Sequence, residues 1–271
     1  MDFRPINQNH AISHVLFALE FQHPFSPSQI AKVDALHEDK FQTKLPRKRQ
    51  LRAMQFEIVP GAGLGTSKTA SEGLAGVVFD TVSPAGKVVQ ALQVNGNVLS
   101  ATVTNYERWD ITWPQIQDYF ALVFPVLMPG GNISVIGMQV LDRFVAREGI
   151  PEPDPRTVLN RGTKYIVPNA FESKGFWHSH HGFFRETRFT RPHNMLTNLN
   201  VGLGNSKNLK SIRLDISCNS RLMLTAPLAG DGQHTDIQNI IGEGMNILHD
   251  ENKGMIRDLL SDDARAAINL I

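Results

Sequence analysis

The chain has almost no cysteine. Cys218 is the only one in 271 residues, so no disulfide can close within the chain. That fits a reducing compartment. Charge of one sign is also missing. The 27 Lys and Arg stand against 26 Asp and Glu, for a net charge of +1. With no global field, attraction to nucleic acid or to an anionic membrane has to come from a local patch. Long apolar runs are absent too. The longest, residues 119–129, is about half of what a bilayer-spanning helix needs, and Pro125 interrupts it. Residues 1–10 are polar and carry no secretory core. These absences predict a soluble, cytoplasmic protein with no membrane part. Catalytic signatures are lacking as well: no Cys pair, no His-Glu-x-x-His helix and no distinct Ser-His-Asp set.

What is present is an ordinary globular composition, 41% hydrophobic. Residues 14–21 read as a strand, because Val15, Phe17, Leu19 and Phe21 share one face by the two-residue period. Ser26 or Ser28 caps a helix to about residue 42, with Ile30, Val33, Leu36 and Phe41 as its stripe. A strand at 51–60 leads into Gly61-Ala62-Gly63-Leu64-Gly65. That loop lacks the Gly-Lys of a phosphate loop and no good helix follows it, so it reads as a plain flexible loop. Short strands follow at 74–81, 87–94 and 98–105, the last two joined by Asn95-Gly96-Asn97, a strong hairpin signal. Thr112 caps a second helix, with Pro114 in its first turn, and a strand returns at 133–144.

Three prolines in Ile150-Pro151-Glu152-Pro153-Asp154-Pro155 mark a seam. It divides the chain into halves 1–149 and 150–271, packed as one unit. Beyond it, strands are expected at 163–171, 176–186, 195–203, 211–218 and 221–224. A closing helix spans about 236–260, where Ile237, Ile240, Ile241, Leu248, Met255, Ile256, Leu259 and Leu260 return at helical spacing. Leu248 and Ile256 are expected to be buried and Asn252 to face the other way. Neighbouring strands with few helices between them indicate an α+β class with antiparallel sheets. The element order predicts two curved antiparallel sheets, each packed against a long helix, in a duplicated arrangement.

Several segments resemble a sporadically distributed family of uncharacterised bacterial proteins. They are the opening strand with Val15-Leu16-Phe17 and Phe21, the strand Ile136-Gly137-Met138-Gln139-Val140-Leu141-Asp142-Arg143, the late Leu214-Asp215-Ile216 and the closing Leu248-His249. The family's version of the second segment is Ile-Gly-Leu-Arg-Tyr-Ile-Asn-Arg, from which Gln139, Val140 and Asp142 depart. The resemblance implies a bacterial, soluble protein and supplies no active-site residue.

The densest chemistry is Phe176-Trp177-His178-Ser179-His180-His181-Gly182-Phe183-Phe184. Aromatic side chains supply contact area and imidazoles supply polar tips. Phe176, Trp177, His178, His180, His181, Phe183 and Phe184 therefore form the expected contact for a protein partner or a second copy. Extended, the segment puts His178 and His180 on one side, ~6.6 Å apart. That spacing is open to zinc, with Glu172, Glu186 or His193 as a further ligand, and would make a metal-dependent hydrolase. Lys44-Leu45-Pro46-Arg47-Lys48-Arg49-Gln50-Leu51-Arg52 carries five cations, read as a solvated loop. Arg47, Lys48 and Arg49 offer the nucleic-acid alternative. Trp109, Trp113, Tyr106 and Tyr119 cluster where the second helix begins and read as a core edge. The leading expectation is a non-catalytic, cofactor-free binding protein that holds a partner or self-associates through the aromatic and histidine hairpin.

Overall fold

The computed structural model describes residues 1–55, 71–173, 175–205, 211–229 and 234–270. The glycine-rich loop at 61–65 and the end of the strand expected at 51–60 lie outside them. In chain order the elements are β1 (Phe3–Pro5), β2 (Ile12–Phe21), α1 (Pro27–Leu36), β3 (Arg47–Gln55), β4 (Ser71–Val82), β5 (Val88–Asn95), β6 (Val98–Val103), α2 (Trp109–Leu127) and β7 (Asn132–Ala146). Then come β8 (Trp177–Arg185), β9 (His193–Asn205), β10 (Ile212–Ala229), α3 (His234–Leu259) and α4 (Asp262–Ala267).

The α+β class holds, but the two separate sheets do not form. One ten-stranded sheet runs in the order β3-β4-β5-β6-β2-β7-β10-β9-β8, with β1 added beside β7. Every pairing is antiparallel. The reason is β7. At 15 residues it is long enough to bond β2 along one edge and β10 along the other, so the hydrogen bonding never breaks. The helices lie side by side, α1 on α2 and α2 on α3, and share an apolar cluster with Val15, Phe17 and Leu19 of β2.

Local signals explain most boundaries. Ser26 caps α1 reciprocally with Gln29, as a capping box. The helix then widens into a π turn at His37–Phe41. Gly96 takes φ +59° in the β5–β6 turn. The second helix starts a turn before Thr112, with Arg108 as its cap. Two strands expected at 211–218 and 221–224 are one, because Ser220 is buried and bonds Thr197 at 3.0 Å. No strand forms at 163–171. Thr163 Oγ1 instead accepts from the Tyr165 N–H and donates to Asp258, and Pro168 opens a 3₁₀ turn. The basic segment is a strand from Arg47 onward, not a loop.

α3 follows the expected stripe. Ile237, Ile241, Met245 and Leu248 join the first apolar cluster, and Met255, Ile256 and Leu259 join a second. Leu248 and Ile256 are buried, and a buried leucine is worth ~2–5 kcal/mol over alanine. Asn252 is a correction. It is buried too, because four residues from each of those neighbours is the same face of a helix. No helix among the described residues is long and apolar enough to cross a membrane.

Candidate functional site

The site begins with an aspartate in a core register. Along β7 the side chains of Ile136, Met138, Val140, Asp142 and Phe144 point to the helix-covered face by the two-residue period, and all are buried. Asp142 is 3% exposed. It pairs across the ladder with Ile12 and Ile216. β1 ends at Pro5 and β2 begins at Ile12, and the connecting residues Asn7, Gln8, Asn9, His10 and Ala11 line a space that Asp142 also lines.

Asn252 on α3 lines the same space. It is 7% exposed, and its Oδ1 has no hydrogen-bond partner among the described residues. Thus a strand and the helix above it each carry one polar residue in an otherwise apolar stripe, and both open on one cleft. The cleft measures about 1130 Å³. Its walls include Val15, Met138, Val140 and Ile256, which belong to the two apolar clusters, so it lies where those clusters meet. Tyr106, His10, Trp109, His249 and Lys253 complete the surround. Trp109 stacks on His249 at 4.2 Å between ring centres and donates from Nε1 to Asn246 Oδ1 at 2.9 Å. His10 meets the Tyr106 ring edge-on at 5.6 Å.

Electrostatics follow from burial. Desolvation pushes the Asp142 carboxyl up to about 7, and no described side chain or backbone group bonds it to counter that. Desolvation, then the charge of Asp142, then that of Asp110, push the Tyr106 phenol up to about 12. It stays a neutral donor. Desolvation also lowers His249, against the pull of Asp250, and favours the neutral imidazole. A carboxyl poised near neutrality beside a phenol that holds its proton can exchange a proton with a bound molecule.

The hairpin residues are split by strand parity. His178, His180 and Phe184 are exposed on one face of β8, while Trp177, His181 and Phe183 are half-buried on the other. Phe183 stacks on Tyr165, and Arg185 lies over Phe183 and bonds Glu251. Phe176, just before the strand, is exposed. Among the described residues no group of three or more His, Cys, Asp or Glu is placed to hold a metal ion. His193 is occupied by Thr187 Oγ1 and the Arg191 carbonyl. Arg47 and Arg49 both bond Asp80, and Lys48 reaches Asp34 at 3.5 Å.

The sequence reading gives Asp142 no role and puts Asn252 on the wrong face of the closing helix, although counting along each stripe marks both. Trp109 was expected at a core edge, and it does touch Phe17 and Trp113, but it also faces the cleft. Set against known protein families, curated proteins and solved structures, the chain matches none.

Proposed function

We propose that the protein binds a small organic molecule in the cleft over β7, and that Asp142 holds or exchanges a proton with it. One observation carries this reading: a carboxyl buried at the cleft floor, in a core position, with no donor from the described residues. Leaving such a group without a partner is costly, and sites of this kind concentrate where ligands or substrates supply the partner. A screen of mixed small fragments, read on the NMR signals of the cleft residues, tests it. Binders should gather at Tyr106, Trp109, Asp142 and Asn252. If fragments bind elsewhere, or nowhere, the cleft is not a ligand site.

A second reading retains the partner contact. β8 is the last strand of the sheet, and it presents Phe184, 68% exposed, beside Phe176, 56% exposed. An edge without a partner among the described strands, with exposed aromatics beside it, favours strand-to-strand pairing, here between two copies of a chain of the bacterial type that the sequence resembles. Sedimentation should then show a dimer that Phe176→Lys with Phe184→Lys dissociates. A monomeric wild type at high concentration would end this reading.

A further inference from the structure

The buried polar atoms of the cleft define what its ligand must bring. We infer that the ligand presents a nitrogen cation, an ammonium or amidinium group, to Asp142, with Asn252 accepting another of its N–H bonds. This rests on the reading of the cleft as a ligand site. Asn252 offers a buried Oδ1 with no partner, and Asp142 offers a carboxyl that nothing described bonds. Both are acceptors once the carboxyl is ionised.

Other ligand chemistries fit less well. An anion would set like charges against each other in a poorly solvated place. A purely apolar molecule would seal both acceptors away from water without a donor. A cation supplies the opposite charge and several N–H bonds at once, and a planar amidinium matches the two carboxylate oxygens. Among the described residues, the Arg and Lys that line the cleft do not fill the role. Arg108 and Lys253 are exposed, and Arg108 is turned to Asp110 through two hydrogen bonds of 3.1 and 2.8 Å. Val15, Met138, Val140 and Ile256 give the walls an apolar surface for the body of such a molecule.

Three probes share a ring and differ in charge: benzamidine, benzamide and benzoate. Each would be titrated into the protein at pH 8 and followed on the indole N–H signal of Trp109, which lines the cleft. Benzamidine should bind at least about tenfold tighter than benzamide, the scale of one charge-assisted hydrogen bond, and benzoate weakest. In Asp142→Asn the advantage of benzamidine should fall to about threefold or less. The variant's circular dichroism and melting curve establish that it folds, and the ranking of probes on the wild type stands without it. Equal or tighter binding of benzamide or benzoate overturns the inference while leaving the cleft a ligand site. So does a benzamidine preference that survives in Asp142→Asn. If no probe moves the Trp109 signal, the ligand-site reading falls with it.

Discussion

Asp80 and Asp142 are the same residue in the same sheet, and both are buried. Asp80 sits on β4 with no exposed surface, under Arg47 and Arg49 of the neighbouring edge strand, at 2.6 and 2.9 Å. Burial is the largest single influence on it and pushes its pKa up. The hydrogen bonds and charges of the two guanidinium groups outweigh that, and the net movement is downward. Asp142 has the burial without the cations, and its pKa rises to about 7. Partners rather than depth decide the charge state. The paired aspartate reads as structure. The unpaired one has no donor among the described residues, and that is the ground on which the cleft is proposed as a ligand site.

The two should respond to neutralisation with opposite signs. A carboxyl with a raised folded-state pKa binds its proton more readily when folded than unfolded. Its contribution to stability is full below the unfolded value, declines as pH rises from about 4 to about 7, and stays low above that. The full decline is on the order of 4 kcal/mol, reckoned from an ordinary carboxyl near 3.9. Asp142→Asn should therefore raise the unfolding free energy at pH 8, by up to about 4 kcal/mol, and gain little near pH 4. Asp80 runs the other way. Its contribution is present above the unfolded pKa and is lost as pH falls through the depressed folded value. Asp80→Asn should cost about 1–2 kcal/mol at pH 8, toward the lower end for charged hydrogen bonds because both arginines are half-exposed. Denaturant titrations of both variants at pH 8 and pH 5 measure this. Asparagine variants that shift in the same direction at pH 8 would erase the distinction between the two sites.

The difference between these aspartates also shows what could be read from sequence. The inward stripe of β2, the Ser26 cap, the Asn95-Gly96 turn and the stripe of α3 are local patterns, and each forms as expected. The single sheet was not legible, because the β7–β10 pairing joins residues about 70 or more positions apart and no local rule encodes it. The hairpin at 176–184 drew attention through its residue types. Strand parity then sends His178 and His180 to solvent and Phe183 toward Tyr165, so density in sequence did not become proximity around a ligand. Asp142 and Asn252 gave a quieter signal: one polar residue at an even step of β7, one at an i+4 step of α3. Each is visible by counting. That the two face one cleft depends on how α3 crosses β7, which only the fold provides.

Asn252 sharpens the contrast with the smallest expected effect. Its Oδ1 is buried without a partner on a helix face that is otherwise apolar. Asparagine is also a poorer helix former than leucine. Asn252→Leu removes the orphaned acceptor, keeps a similar length, and sits between Leu248 and Ile256 on the same stripe. The cleft beside it supplies room, so the substitution should stabilise the empty protein by about 1 kcal/mol, near the lower bound for an unsatisfied buried group. The same change should weaken binding of an amidinium probe, because stability and ligand affinity compete for one atom. A melting curve without ligand and a benzamidine titration, run on the same preparation, separate the two effects. A variant that melts higher yet binds as well as wild type would mean that Asn252 is an imperfection of packing, and that Asp142 alone defines the floor of the cleft.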